Sequence, residues 1–231
     1  MTTLARPALP GVLLLFSALA GCASGPPTPD WQMTAQSAIG RFESAYMDGN
    51  SAIEAAEWRQ ARTQIASTGK VDLLIRIELV RCATRVASLV FEPCAGFERL
   101  RADAAPADLA YANYLAASMR AGDAALLPEQ HKNVAVAGDD TAAAAAAQRI
   151  ADPLSALVAA GALLRAGRAT PALLATAVDT ASAQGWRRPL LAWLSVQATR
   201  AEQAGAAAEA GRIRRRIDLV QGTDAGAAPA N

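Results

Sequence analysis

Residues that start and stop helices divide the last third of the chain into short segments. Asp152-Pro153 and Thr170-Pro171 each place a capping side chain before a proline, and proline is favoured in the first turn of a helix. Glycines that suit the left-handed end of a helix follow at Gly167, Gly185 and Gly205. This pattern predicts helices over about residues 153–166, 171–184, 188–204 and 206–220, and with them an all-α fold.

The first half of the chain continues the helical pattern. Apolar residues at helical spacing predict a helix over residues 31–47, which Asp48-Gly49-Asn50 would end. Ser51 and Glu54 fit a capping box at the start of a second helix. A third helix begins near Val71 and is apolar on nearly every side, so it is predicted to be the central buried helix.

The stretch of residues 123–139 is the least regular part of the chain after the N-terminal segment. It holds the only histidine, His131, next to Glu129 and Gln130. We expect a partly ordered connection over the surface, with a surface histidine. Asp139 and Asp140 precede an alanine run, and adjacent carboxylates at that position are best explained by helix capping.

The N-terminal residues have the pattern of a targeting signal. Arg6 precedes an apolar segment around residues 12–19, which ends at Leu19-Ala20-Gly21-Cys22. The segment is too short to span a bilayer as a helix. Leu19-Ala20-Gly21-Cys22 resembles the lipobox of bacterial lipoproteins. The alternative is an ordinary cleaved secretory signal in which Cys22 is incidental.

The lipobox resemblance implies a cellular location for the protein. In that family the chain is cut before the cysteine, which becomes acylated, so residues 1–21 would be removed and Cys22 would anchor the protein to membrane lipid. Residue 23 is Ala rather than the Asp that retains many lipoproteins at the inner membrane, which favours the periplasmic side of the outer membrane. Residues 22–30 read as a Pro/Ser/Gly-rich spacer, 31–220 as the helical domain and 221–231 as a disordered tail.

Two further cysteines, Cys82 and Cys94, form an even pair in a compartment that is oxidising. We predict a disulfide between them. An unbroken helix from Cys82 would carry Cys94 out of reach, so the third helix must end near Ala87 or Ser88 and the chain must fold back. Two free buried thiols are the alternative.

The charge balance argues against a nucleic-acid partner. The chain has 22 basic and 21 acidic residues and a formal net charge of +1. Removal of the signal would take away one cation, Arg6, and leave a neutral chain. A neutral domain lacks the positive surface that nucleic-acid binding requires.

Three groups of arginines are candidates for contacts with a partner or an anion. Arg76, Arg81 and Arg85 lie on the third helix, where the alternative is pairing within the helix, as between Glu78 and Arg81, plus side chains that reach solvent. Trp186, Arg187 and Arg188 combine an aromatic with cations, as interfaces do, although a tryptophan such as Trp186 is more often part of the core. Four arginines near the end of the last helix suit its dipole and favour a solvated face: Arg212, Arg214, Arg215 and Arg216.

Residues 157–164 have the spacing of apolar positions around Gly161 that resembles a tetratricopeptide repeat. Fragments of similar units occur near Glu54 to Trp58 and between Ala198 and Ala210. The resemblance implies a helical-repeat fold, so the predicted architecture is a tetratricopeptide-like α-solenoid or an irregular helical bundle.

The sequence contains none of the common catalytic motifs that we considered. A single histidine and no His-Cys cluster leave no metal site by spacing, and no phosphate loop or nucleophile elbow occurs. No cofactor is predicted, and the chain is not expected to be an enzyme. We expect a periplasm-facing lipoprotein whose helical domain is a scaffold or adaptor for another envelope protein. The alternative is a binder or enzyme for cell-wall glycan or a small anionic ligand, with residues 123–139 as a lid.

Overall fold

The computed structural model describes residues 28–222, and this part of the chain is built of helices and turns without a strand. The predicted all-α fold is confirmed. Signal residues 1–21, Cys22, most of the spacer and nearly all of the tail lie outside the described residues. The helices are α1 (Asp30–Asp48), α2 (Ser51–Ala66), α3 (Val71–Ala87), α4 (Ala95–Glu98), α5 (Pro106–Leu115), α6 (Asp123–Leu126), α7 (Glu129–Ala135), α8 (Asp140–Gln148), α9 (Pro153–Arg165), α10 (Pro171–Ala183), α11 (Arg187–Gln203) and α12 (Ala207–Gln221).

Local capping explains most of these boundaries. The side chains of Asp139, Asp152 and Thr170 each accept a hydrogen bond from a backbone N–H three residues on, as predicted. Gly167, Gly185 and Gly205 adopt positive φ after the helices that they end. The capping box at Ser51 is wrong: Asn50 is the capping residue, because its side chain accepts from the Ile53 N–H.

The predicted disulfide between Cys82 and Cys94 is present, with Cα atoms 5.8 Å apart. Helix α3 ends at Ala87, where the prediction required an end. Leu89 then takes a left-handed conformation with φ of 60°, and the Val90 N–H donates back to the Arg85 carbonyl. This tight turn brings the chain back so that Cys94 reaches Cys82.

The C-terminal end of α3 makes close contacts with α9 and α11. Gly161 of α9 lies against the Val86 carbonyl so closely that a Cβ on residue 161 would approach the oxygen to less than 3.0 Å. The Trp193 indole of α11, fully buried, donates a hydrogen bond of 3.0 Å to the Ala87 carbonyl. Two helices from the second half of the chain therefore dock on the same end of α3.

The order of helix contacts favours the irregular bundle over the α-solenoid. In a solenoid each repeat touches only its neighbours. Here α3 packs against α9 and α1 packs against α11, so the second half of the chain folds back over the first. Arg188 of α11 joins the two halves, since its Nε donates to the Tyr46 carbonyl at 2.6 Å. The spacing around Gly161 does mark a close helix contact, but its partner is α3 rather than the adjacent helix, and no tetratricopeptide-like repeat is established.

Candidate functional site

Helix α3 is not buried on every side, contrary to the prediction of a central buried helix. Leu73, Arg76, Ile77 and Val80 recur at helical spacing and so form one stripe along the helix. Within the stripe Ile77 is buried, Leu73 and Val80 are partly exposed, and Arg76 is exposed. The stripe therefore presents apolar surface at the outside of the bundle.

Two hollows lie along this stripe and share Arg76; we call them together the α3 groove. The first, of about 440 Å³, is bordered by α1, α2 and α3 and is lined by Trp31, Ile39, Leu73 and Ile77 among others. The second, of about 380 Å³, is bordered by α3, α5 and α6 and is lined by Leu79, Val80, Tyr111, Leu126 and Leu127 among others. The α3 groove thus follows one face of α3 from α1 to α6.

The α3 groove is lined mainly by apolar residues, and two cations, Lys70 and Arg76, are among the rest. Lys70 lies over the Trp31 ring, 5.6 Å from its centroid, and Arg76 lines both hollows. Asp108 is the acidic side chain among the lining residues. An apolar surface of this kind, with positive charge along its length, suits an apolar segment that carries an acidic side chain.

Arg76, Arg81 and Arg85 do not form the predicted anion-binding cluster. Arg76 lines the α3 groove, whereas Arg81 and Arg85 pair with a carboxylate of α2. Arg81 and Arg85 both point to the buried carboxylate of Glu54 on α2, at 3.5 Å and 3.6 Å. Burial and the neighbouring Arg85 charge lower the pKa of Arg81. These two cations therefore already have a counter-charge, and they connect α2 to α3.

Glu78 forms its ion pair with another helix rather than within α3, although its charge still acts on Arg81. Its buried carboxylate accepts from Arg62 of α2 at 3.3 Å instead of pairing with Arg81. Gly96 lies directly against the Glu78 side chain, which leaves no room for a Cβ there. Both buried glutamates thus bind α2 to α3, because a buried charge requires an ion-pair partner.

Trp186, Arg187 and Arg188 do not form one surface patch. Trp186 belongs to the core, and the two arginines bond to other parts of the chain. Trp186 is partly buried and packs against the main core. Arg188 stacks on the Tyr46 ring, 4.3 Å from its centroid, and donates to the Ser51 hydroxyl at 3.1 Å. Arg187 is exposed and donates to the Gln221 carbonyl of α12 at 3.2 Å. Arg188 therefore holds α11 to the first helix hairpin.

The arginines of α12 remain on the surface. Arg212 pairs with Glu209 and Arg214 with Glu202 of α11, and all four arginines are exposed. Only Ala210 and Ile213 of α12 are buried. These arginines therefore lie on a solvated face, as the sequence predicted.

His131 is buried, with 1% exposure, so the prediction of a surface histidine is wrong. The segment 123–139 is also more ordered than predicted, since it forms α6 and α7. Leu127, His131 and Val134 share one face of that segment and turn inward, while Glu129 and Gln130 are exposed. The imidazole packs against Tyr111 and Tyr114 of α5, with ring centroids 5.7 Å and 5.0 Å away.

Burial also shifts the proton equilibria of this aromatic group. It lowers the pKa of His131 to about 4, and the Asp152 carboxylate opposes the shift. Burial raises the pKa of the Tyr111 and Tyr114 hydroxyls well above the ordinary range, so both stay protonated. The Nδ1 atom of His131 and the hydroxyl of Tyr114 have no hydrogen-bond partner among the described residues.

We expect the protein to lose stability as pH falls from about 6.5 towards 4. The folded protein keeps His131 neutral through that window, whereas the unfolded chain binds a proton there, so acid favours the unfolded state. The loss attributable to His131 approaches about 3 kcal/mol near pH 4. Urea unfolding of the wild type and of His131→Leu at pH 7 and pH 4.5 checks this. The other titrating groups are common to both proteins, so parallel pH profiles would contradict the assignment.

The chain has no match among protein families, curated proteins or solved structures. Within residues 28–222, no helix is long and apolar enough to cross a bilayer. The same residues contain no cluster of three His, Cys, Asp or Glu side chains that could hold a metal ion.

Proposed function

We propose that the protein is a lipid-anchored adaptor of the bacterial cell envelope, which faces the periplasm and binds another envelope protein through the α3 groove. The anchor is the lipobox cysteine, Cys22, and an outer-membrane location accords with Ala23. The adaptor role rests chiefly on the apolar stripe of α3, which the fold leaves partly uncovered.

The chemistry of the α3 groove defines the partner. Residues 73–80 extend over about 10 Å of the α3 axis, which matches two turns of a docked helix. Apolar anchors at successive turns would fill the two hollows, and an acidic side chain between them would pair with Arg76. The proposed partner therefore presents an amphipathic helix with a carboxylate on its apolar face.

The spacer places the groove near the membrane. Trp31, at one end of the groove, is nine residues after Cys22. Even a fully extended chain of that length spans only about 30 Å. A partner at the membrane surface, or a membrane protein with a periplasmic helix, is thus within reach.

Lipid anchoring is tested by the mass and the location of the protein. We expect the mature chain to begin at an acylated Cys22 and to sediment with membranes, because two or more acyl chains anchor a protein stably. Cys22→Ser should release the protein from the membrane fraction. A mass without acyl chains, or membrane association that Cys22→Ser leaves unchanged, would contradict the anchor.

Groove binding is tested by placing a charge in the α3 groove. Val80→Glu should reduce capture of the partner by the affinity-tagged protein at least tenfold, because a desolvated carboxylate would replace an apolar contact. The matched control is Leu219→Glu on α12, where the side chain is 64% exposed. Circular dichroism and thermal melting establish that both variants fold. Equal capture by the two variants would contradict groove binding.

A further inference from the structure

The disulfide between Cys82 and Cys94 is not enclosed in the core. Both residues are partly exposed, and both line a hollow of about 170 Å³ beside α3. Glu92 and Pro93, which come just before Cys94, also line this hollow and are exposed. Thiol–disulfide exchange requires that an incoming thiolate can approach the bond, and the hollow gives such an approach.

Two cations line the same hollow as the disulfide. Arg81 precedes Cys82 directly, and Arg85 follows it by three residues, which places Arg85 on the same face of α3. Their side chains are 32% and 23% exposed. Both guanidinium groups pair with one and the same carboxylate oxygen of Glu54. A single negative charge therefore serves two arginines.

The other acidic side chains at the hollow do not cancel this excess. Glu78 lines the hollow, but Arg62 pairs with it at 3.3 Å, so those two charges balance each other. Glu92 is exposed, so water and salt screen its charge. Among the described residues that line the hollow or pair with its lining, one positive charge is left beside the disulfide.

A thiolate at Cys82 would supply the missing negative charge. The pKa of Arg81 is lowered by burial and by the charge of Arg85, as expected where cations are crowded. Nearby arginines favour the thiolate form of a cysteine, and a sulfur that is stable as a thiolate is the better leaving group in exchange. Cys94 lies between Pro93 and Ala95, which carry no charge. Cys82 is therefore the sulfur that leaves.

Contacts other than the disulfide hold the segment that carries Cys94. Phe97 is fully buried in the main core. Gly96 lies against the Glu78 side chain, and the Val90 N–H donates to the Arg85 carbonyl at 2.9 Å. Opening of the disulfide would leave these contacts in place, so exchange is compatible with the folded protein.

We propose that Cys82–Cys94 is a site of reversible thiol–disulfide exchange with a dithiol reductant, such as the dithiol form of an oxidoreductase. A thiolate of the reductant attacks Sγ of Cys94 and forms a mixed disulfide, while the Cys82–Cys94 bond breaks and its electron pair stays on Sγ of Cys82. The second sulfur of the reductant then attacks the mixed disulfide and releases Cys94.

The reaction transfers two electrons. The dithiol becomes a disulfide, and its two protons pass to Cys94 and to water, so that Cys82 remains a thiolate beside Arg81 and Arg85. A disulfide oxidant reverses the same steps. The site uses none of the cations of the α3 groove and does not depend on the adaptor role.

The test uses the chain from residue 22 onward with Cys22→Ser, which removes the third thiol. The protein is reduced with dithiothreitol and alkylated with iodoacetamide between pH 4 and pH 9, and mass spectrometry gives the rate at each cysteine. We expect the reduced protein to keep its helix content by circular dichroism. The midpoint of the pH profile of Cys82 should lie at least one pH unit below that of Cys94. Unfolding on reduction, or equal midpoints for the two cysteines, would overturn the proposal.

Variants test the charge beside Cys82. Arg85→Ala should slow opening of the disulfide by dithiothreitol at pH 7 about fivefold and raise the midpoint of Cys82 but not that of Cys94, whereas Arg85→Lys keeps the charge and should restore most of the rate. Arg81→Ala should act with the same sign, so the test does not depend on the folding of one variant. The matched control is Arg59→Ala, which removes an exposed cation of α2 and should change neither rate nor midpoint. An arginine that only supports the fold would change the melting temperature without moving the midpoint of Cys82, and that result would overturn the proposal.

Discussion

Replacement of Gly161 with alanine is expected to destabilise the protein by about 3 kcal/mol, because the new methyl group would meet backbone rather than a movable side chain. A Cβ at this position would lie closer than 3.0 Å to the Val86 carbonyl oxygen and 3.0 Å from its carbon. Helix α9 would have to move away from α3. For a domain of this size the melting temperature should fall by about 10 °C.

Gly40→Ala is the matched control for this substitution. Gly40 lies inside α1, and a Cβ there would have no neighbour within 4 Å. The same change should therefore stabilise the protein by about 1 kcal/mol through helix propensity alone. Opposite signs at the two glycines, measured by urea unfolding, would establish the close contact between α9 and α3. A neutral or stabilising Gly161→Ala would contradict it.

Trp193→Ala is expected to cost about 4 kcal/mol, because it removes the largest fully buried side chain and leaves a cavity. The indole also satisfies the Ala87 carbonyl, one of the last acceptors of α3. Trp193→Phe keeps most of the apolar volume but removes the donor, so it should cost about 1–2 kcal/mol. Trp186→Ala, at a partly buried site on the same core, should cost less than Trp193→Ala. Equal losses for the two alanine variants would contradict a central role for Trp193.

The helices themselves could be predicted because their signals are local. Asp152-Pro153, Thr170-Pro171 and the glycines after α9, α10 and α11 determine boundaries within a few residues of chain. The end of α3 followed from a similar argument, since a disulfide between Cys82 and Cys94 required the helix to stop between them. Local chemistry and chain geometry were sufficient for these features.

The partners of each helix could not be predicted in the same way. Alanine-rich faces resemble one another, so the pattern shows which side of α9 is apolar but not that Gly161 meets Val86. The contact between Arg188 and Tyr46 joins residues far apart in sequence and has no local signal. The sequence assigned Glu54 to a helix cap because its position fits one. In the fold its carboxylate is buried and pairs with Arg81 and Arg85 instead.

The candidate site was only partly visible in the sequence. Arg76 was selected for its charge, together with two arginines that turn to Glu54 instead. The apolar residues beside Arg76 on α3 were predicted to be core residues, because α3 is apolar on nearly every side. For His131, the spacing Leu127, His131, Val134 was a usable signal of an inward face, which the polar neighbours obscured.

The most direct test of the central claim, that an anchored protein binds a partner in the α3 groove, is site-specific photocrosslinking in intact cells. A photoreactive residue at position 80 reports on the α3 groove, and one at position 219 reports on exposed α12. We expect one membrane-associated adduct from position 80, lost with Arg76→Glu, and none from position 219. Adducts of equal yield from both positions, or none from position 80 on an acylated protein, would contradict it.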